Sequence, residues 1–134
     1  MGRVVCRRVL LRVGVLCALA LAAPLEIRAA IAVPAGGSLQ SALNVAQPGD
    51  VVTLEPGATY AGNFVLPNKG DISEFITVRS AAPDSALPPP GMRMTPAYGA
   101  QLPKIRSSNT AAALKTAASA NHWKLMFLEF LANI

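Results

Sequence analysis

The stretch Pro48-Gly49-Asp50-Val51-Val52-Thr53-Leu54-Glu55-Pro56-Gly57 decides the reading of this chain. Val51-Val52-Thr53-Leu54 is β-branched and alternates, so it reads as a strand, and Pro56-Gly57 ends it. Pro48-Gly49 stops whatever precedes it, because Pro48 has no N–H to donate and restricts Gln47. What precedes it is helical in period. Leu39, Ala42, Leu43 and Ala46 fall at i, i+3, i+4 and i+7, with Gln40, Ser41 and Asn44 on the other face. Ser38 is placed to cap that helix through its hydroxyl. A helix over Ser38 to Ala46 is short, and it needs something to pack on.

Downstream the period stays that of strands. Asn63-Phe64-Val65-Leu66 is followed by a turn at Pro67-Asn68-Lys69-Gly70-Asp71. Phe75-Ile76-Thr77-Val78-Arg79 puts Ile76 and Val78 on one face and Thr77 and Arg79 on the other. The spacing is too short for βαβ units, which need roughly 30 residues. It fits a β-sandwich or a coil of parallel strands. Residues 81–103 hold Pro83, Pro88, Pro89, Pro90, Pro96 and Pro103, which predicts a long surface loop. Strand signals return at Lys104-Ile105-Arg106-Ser107 and at Trp123 to Phe130. Ala111 to Ala120 reads equally as helix or as a strand over Ala113 to Thr116. Leu128 and Phe130 are out of phase with Trp123 and Leu125, so a bend between Met126 and Phe127 is needed if both pairs point inward.

The N-terminal 32 residues differ from the rest. Arg3, Arg7, Arg8 and Arg12 precede an apolar run, Val13 to Ala23, of 11 residues. As a helix it would span about 16 Å, roughly half a bilayer core. Ala30-Ile31-Ala32 offers the small-x-small pattern of signal-peptidase sites. Residues 1–32 therefore read as a secretory signal peptide cut near Ala32, and residues 33–134 as the body. The chain is expected to be secreted, periplasmic or on the cell surface, touching a membrane only through that segment during export.

Most of the net charge of +5 lies in the first 32 residues. The body has no patch of Lys and Arg for neutralising phosphates, so nucleic acid is excluded as a partner. Cys6 and Cys17 both fall in the leader, which removes disulfides, thiolate catalysis and Cys-bound zinc from the body.

Helix, Pro-Gly-Asp turn, Val51-Val52-Thr53-Leu54, Ala58-Thr59-Tyr60 and Phe75-Ile76-Thr77-Val78-Arg79-Ser80 together resemble the opening of secreted right-handed parallel β-helix proteins, the pectate-lyase-like proteins in the broad sense. His122-Trp123-Lys124-Leu125 and Leu128-Glu129-Phe130 resemble a further coil. The resemblance implies an all-β right-handed parallel β-helix of about two N-terminal coils, an incomplete solenoid whose end is covered by the helix at Ser38 to Ala46. Each coil of a solenoid buries its face against neighbours, so the expectation is an N-terminal piece of a longer protein. Polysaccharide is then a partner through the full-length protein, which the resemblance allows to be a lyase or hydrolase of acidic polysaccharide, or an adhesin.

The chemistry in the body is sparse. His122 is the single histidine, read as a turn residue before a strand rather than as a base or ligand. No nucleophile elbow and no phosphate loop occur. The carboxylates Asp50, Glu55, Asp71, Glu74, Asp84 and Glu129 form no local set for calcium or for a glycosidase pair, and Asp71 and Glu74 are read as facing water. Arg79 and Arg106 are candidates to grip an acidic sugar if they sit on neighbouring coils. Trp123, Tyr60 and Tyr98 are candidates to stack on sugar rings, with Trp123 read first as interior filling. The expectation is a structural segment with no catalytic, cofactor or metal site of its own.

Overall fold

The computed structural model describes residues 28–134. The order is β1 (Ala30–Val33), α1 (Leu39–Val45), β2 (Val51–Leu54), β3 (Thr59–Ala61), β4 (Phe64–Leu66), β5 (Ile76–Ser80), 3₁₀ helices at Asp84–Ala86 and Pro96–Gln101, β6 (Lys104–Arg106), β7 (Leu114–Thr116), β8 (Trp123–Met126) and β9 (Glu129–Phe130). All strand pairs are parallel. One sheet has the order β1-β2-β5-β8, a second β3-β6-β9, a third β4-β7. The chain visits these sheets in the same sequence on successive passes, so each pass lays a strand beside its predecessor.

The expectation of an all-β right-handed parallel β-helix is corrected by this arrangement. The described residues form separate parallel sheets of two to four strands beside an α-helix and two 3₁₀ helices, with no closed solenoid. The fold is mixed α/β. Three features account for the difference. The strands are only two to five residues long. The segment between β5 and β6 packs on itself, with Ala82, Leu87 and Leu102 forming a small core of their own against Phe127, so it does not act as a tight turn. The last pass adds strands to two sheets only, β8 and β9.

Register explains the main core. Val52 pairs with Val78, and Val78 with Leu125. Tyr60 pairs with Ile105, and Ile105 with Phe130. In a strand alternate residues share a face, so these columns point the same way as Leu54 and Ile76, which are wholly buried. Thr77, Arg79 and Lys124 alternate out of the core. Helix α1 begins as read from the sequence: the Ser38 hydroxyl accepts from the Ser41 amide at 3.3 Å. It buries Leu39, Ala42 and Leu43 into the same cluster as Val52, Leu54 and Ile76, and packs against β4 and β1.

The turn after α1 is held by Asp50. Its Oδ2 accepts from the Gln47 amide at 2.8 Å and its Oδ1 from the Ala29 amide at 3.1 Å. Gly49 takes φ +87°, a backbone shape that calls for glycine, and the end of the Glu74 side chain occupies the space beside it. Strand β1 was not anticipated. The boundary read at Ala32 falls inside it, since Ala30, Ile31, Ala32 and Val33 pair with Val51 to Leu54. Residues 1–27 of the proposed leader lie outside the described residues. The ambiguous Ala111 to Ala120 segment contains β7 rather than a helix.

Candidate functional site

The residues singled out in the sequence do not converge on one point. Arg79 is on β5 in the four-stranded sheet, and Arg106 is on β6 in the three-stranded sheet. Arg79 pairs with Asp84 and lies 5.5 Å from the centre of the Phe127 ring. Arg106 donates through Nε to the Ala132 carbonyl at 3.4 Å. The two guanidiniums are thus engaged separately, each by its own loop. His122 precedes β8 with φ +56°, its Nδ1 lies 2.9 Å from Asn121 Oδ1, and its ring tilts against Phe75. Its carbonyl accepts from the Ile76 amide, as a turn residue leading into a paired strand does. Asp71 is exposed, as read, whereas Glu74 is half-buried over Gly49.

The aromatic candidates also have separate places. Tyr60 is buried, and its hydroxyl donates to the Val33 carbonyl at 2.6 Å while accepting from the Glu55 amide at 3.0 Å. It ties the end of β1 to the end of β2. Burial pushes its pKa above the ordinary 10.0, with the Glu55 amide pulling the other way and the Glu55 charge adding to the rise. Trp123 packs partly on the core and donates through Nε1 to the Pro67 carbonyl at 3.1 Å. Tyr98 is half-buried in the second 3₁₀ helix. A polar corner joins the second and third sheets: Asn63 Nδ2 donates to Ser107 Oγ, Asn109 Oδ1 and the Ala112 carbonyl. Its bonds lie within the chain, so it reads as a brace between passes.

The feature that does stand out is an edge. Among the described residues β7, β8 and β9 each pair on one side only, and they are the last strand of their sheets. The core columns open as they reach this edge. Val52 and Val78 are 0% and 2% exposed, while Leu125, next in register, is 40% exposed. Tyr60 and Ile105 are buried, while Phe130 is 53% exposed. The positions point inward, but nothing among the described residues lies beyond them. Covering either side chain would contribute about 1–2 kcal/mol at the usual value per unit of apolar area.

Beside β9 lies a cleft of about 480 Å³ lined by Met94, Pro96, Leu102, Leu128, Glu129 and Phe130, among others. Under it, Glu129 Oε2 is 3.3 Å from Lys104 Nζ without hydrogen-bond geometry, and Lys104 also donates to the Gly99 carbonyl at 2.9 Å. The pair leaves no free charge in the cleft. Among the described residues no group of three or more His, Cys, Asp and Glu side chains is placed to hold a metal, and no helix is long and apolar enough to cross a membrane.

No family model matches this chain, and neither the curated proteins nor the solved structures compared with it include a match.

Proposed function

We propose that this chain is an exported structural module whose exposed strand edge takes on a further parallel strand. The occupant is an extended segment running parallel to β8, apolar at alternate positions so as to cover Trp123 and Leu125, and polar between them. One observation carries the reading: the core columns reach β8 and β9 in register and end there half-exposed. An edge of unpaired amides and carbonyls beside an apolar face is a template for strand addition. On the opposite side α1 packs against β4 and β1, and its Gln40 side chain bonds both the amide and the carbonyl of Val65 on β4, which gives the addition a direction. The near-neutral charge of the body favours an extended polypeptide over nucleic acid as the occupant.

The test uses a synthetic peptide with the sequence of β5, residues 76–80, in which Ile76 and Val78 are apolar and Thr77 and Arg79 polar. Titrated into the protein, it is expected to slow amide exchange in β8. A peptide with Lys at the positions of Ile76 and Val78 is expected to leave exchange unchanged. Equal protection by both peptides, or by neither, would overturn the reading.

A further inference from the structure

The position of β1 bears on where the exported chain is cut, an inference that rests on the export reading above. Three small-x-small patterns lie in or after the apolar run, Ala18-Leu19-Ala20, Ala20-Leu21-Ala22 and Ala30-Ile31-Ala32. A cut at the first would leave only Val13 to Cys17 as the apolar segment, shorter than the roughly seven residues signal peptides use, and a cut after Ala23 would put Pro24 at the scissile bond, so the reading from sequence falls on Ala32. The structure weighs against it. Ala30, Ile31, Ala32 and Val33 are the four residues of β1, paired in register with Val51 to Leu54. The Ala29 amide donates to Asp50 Oδ1, and the Ala29 carbonyl accepts from the Val51 amide at 3.1 Å. Val33 is 4% exposed, and its carbonyl accepts from both the Tyr60 hydroxyl and the Glu55 amide.

A cut after Ala32 would remove three of the four β1 residues. It would leave the Val51 amide and one oxygen of the buried Asp50 carboxylate without their partners, and strip the edge of β2. It would also place a charged ammonium on a buried valine, and an unpaired buried charge is costly. A cut after Ala22 avoids all of this. It leaves Val13 to Leu19 as the apolar segment, seven residues long, within the range of about 7–15 that signal peptides use. Ala23 then becomes the first residue and Pro24 the second, so the proline no longer stands at the scissile bond.

We infer that a signal peptidase cuts this chain between Ala22 and Ala23, and that β1 belongs to the mature protein. The chemistry is ordinary hydrolysis: water adds across the Ala22–Ala23 peptide bond, giving a carboxylate on Ala22 and a free amine on Ala23.

The test expresses the full chain in a secreting bacterial host and reads the exported product by N-terminal sequencing and intact mass. A product starting at Ala23 is expected. Ala22→Arg is expected to abolish processing at that bond, and Ala32→Arg to leave the length of the product unchanged. A product starting at Val33, or loss of processing with Ala32→Arg alone, would overturn this inference and leave export standing. An uncut chain retained inside the cell would overturn the export reading and this inference with it.

Discussion

The two ends of the four-stranded sheet are built from the same kinds of residue and are finished differently. At the β1 end, α1 lays Leu39, Ala42 and Leu43 over the core, and Leu43 is 1% exposed. Asp50 and Tyr60 then pin the strand ends to that helix and to each other. At the β8 end, Trp123 and Leu125 occupy the same inward register as Ile76 and Val78, yet Leu125 keeps 40% of its surface. Burial here is therefore set by what lies beyond a strand as well as by the pattern within it. A leucine contributes fully only when both neighbours are present.

That contrast predicts very different costs for similar changes. Leu43→Ala, at the covered end, is expected to destabilise by about 2–5 kcal/mol, measured by urea denaturation, because it opens a cavity in a packed site. Leu125→Ala, the corresponding truncation at the open end, is expected to cost only about 1 kcal/mol, because the side chain is already 40% exposed. Equal losses at the two positions would break the comparison. Tyr60→Phe sits between them. It removes only the hydroxyl, leaving the Val33 carbonyl without one partner and the Glu55 amide with its bond to that carbonyl alone. A loss of about 1–3 kcal/mol is expected in the same assay. A neutral result would mean that water or a backbone shift replaces the hydroxyl.

The same residue sharpens the comparison by pH. The raised pKa of Tyr60 means that the fold favours the neutral hydroxyl. Its contribution is fully present below the ordinary value of 10.0 and is lost as pH rises through the raised value. Wild-type protein is therefore expected to lose thermal stability above about pH 10 more steeply than Tyr60→Phe. Parallel curves for the two proteins would contradict the placement of that hydroxyl in the core. The smallest effect is expected at Arg79→Ala. Its partner Asp84 is mostly exposed, so the ion pair should contribute about 0–1 kcal/mol.

Much of the covered end was legible in the sequence. Ser38, the Leu39-Ala42-Leu43-Ala46 spacing and Pro48-Gly49 place α1 within a residue at each end, and the alternation at Val51 to Leu54 and Ile76 to Arg79 places β2 and β5. Strand β1 was hidden because Ala30-Ile31-Ala32 also satisfies a peptidase pattern. Alanine carries no strand signal of its own; pairing with β2 imposes the conformation. Strand β3 is only three residues long, and of these only Tyr60 is buried, so it presents no period to detect. The bend expected between Met126 and Phe127 appears as φ +55° at Phe127. The overall class was misread because a solenoid expectation treats successive passes as equivalent. Residues 81–103, with their own core of Ala82, Leu87 and Leu102, make them unequal. For the candidate site, alternation in Trp123 to Phe130 showed which residues face inward. It could not show that Leu125 and Phe130 remain uncovered, which depends on the sheet order.

Native-state hydrogen exchange on the isolated protein tests the difference between the two ends most directly. Amides of β2 and β5, flanked by strands on both sides, are expected to be the slowest of the four-stranded sheet. Those of β8 are expected to exchange much faster, approaching the rates of exposed loops. Protection of β8 equal to that of β5 would mean that the open edge is already covered, and would contradict the account.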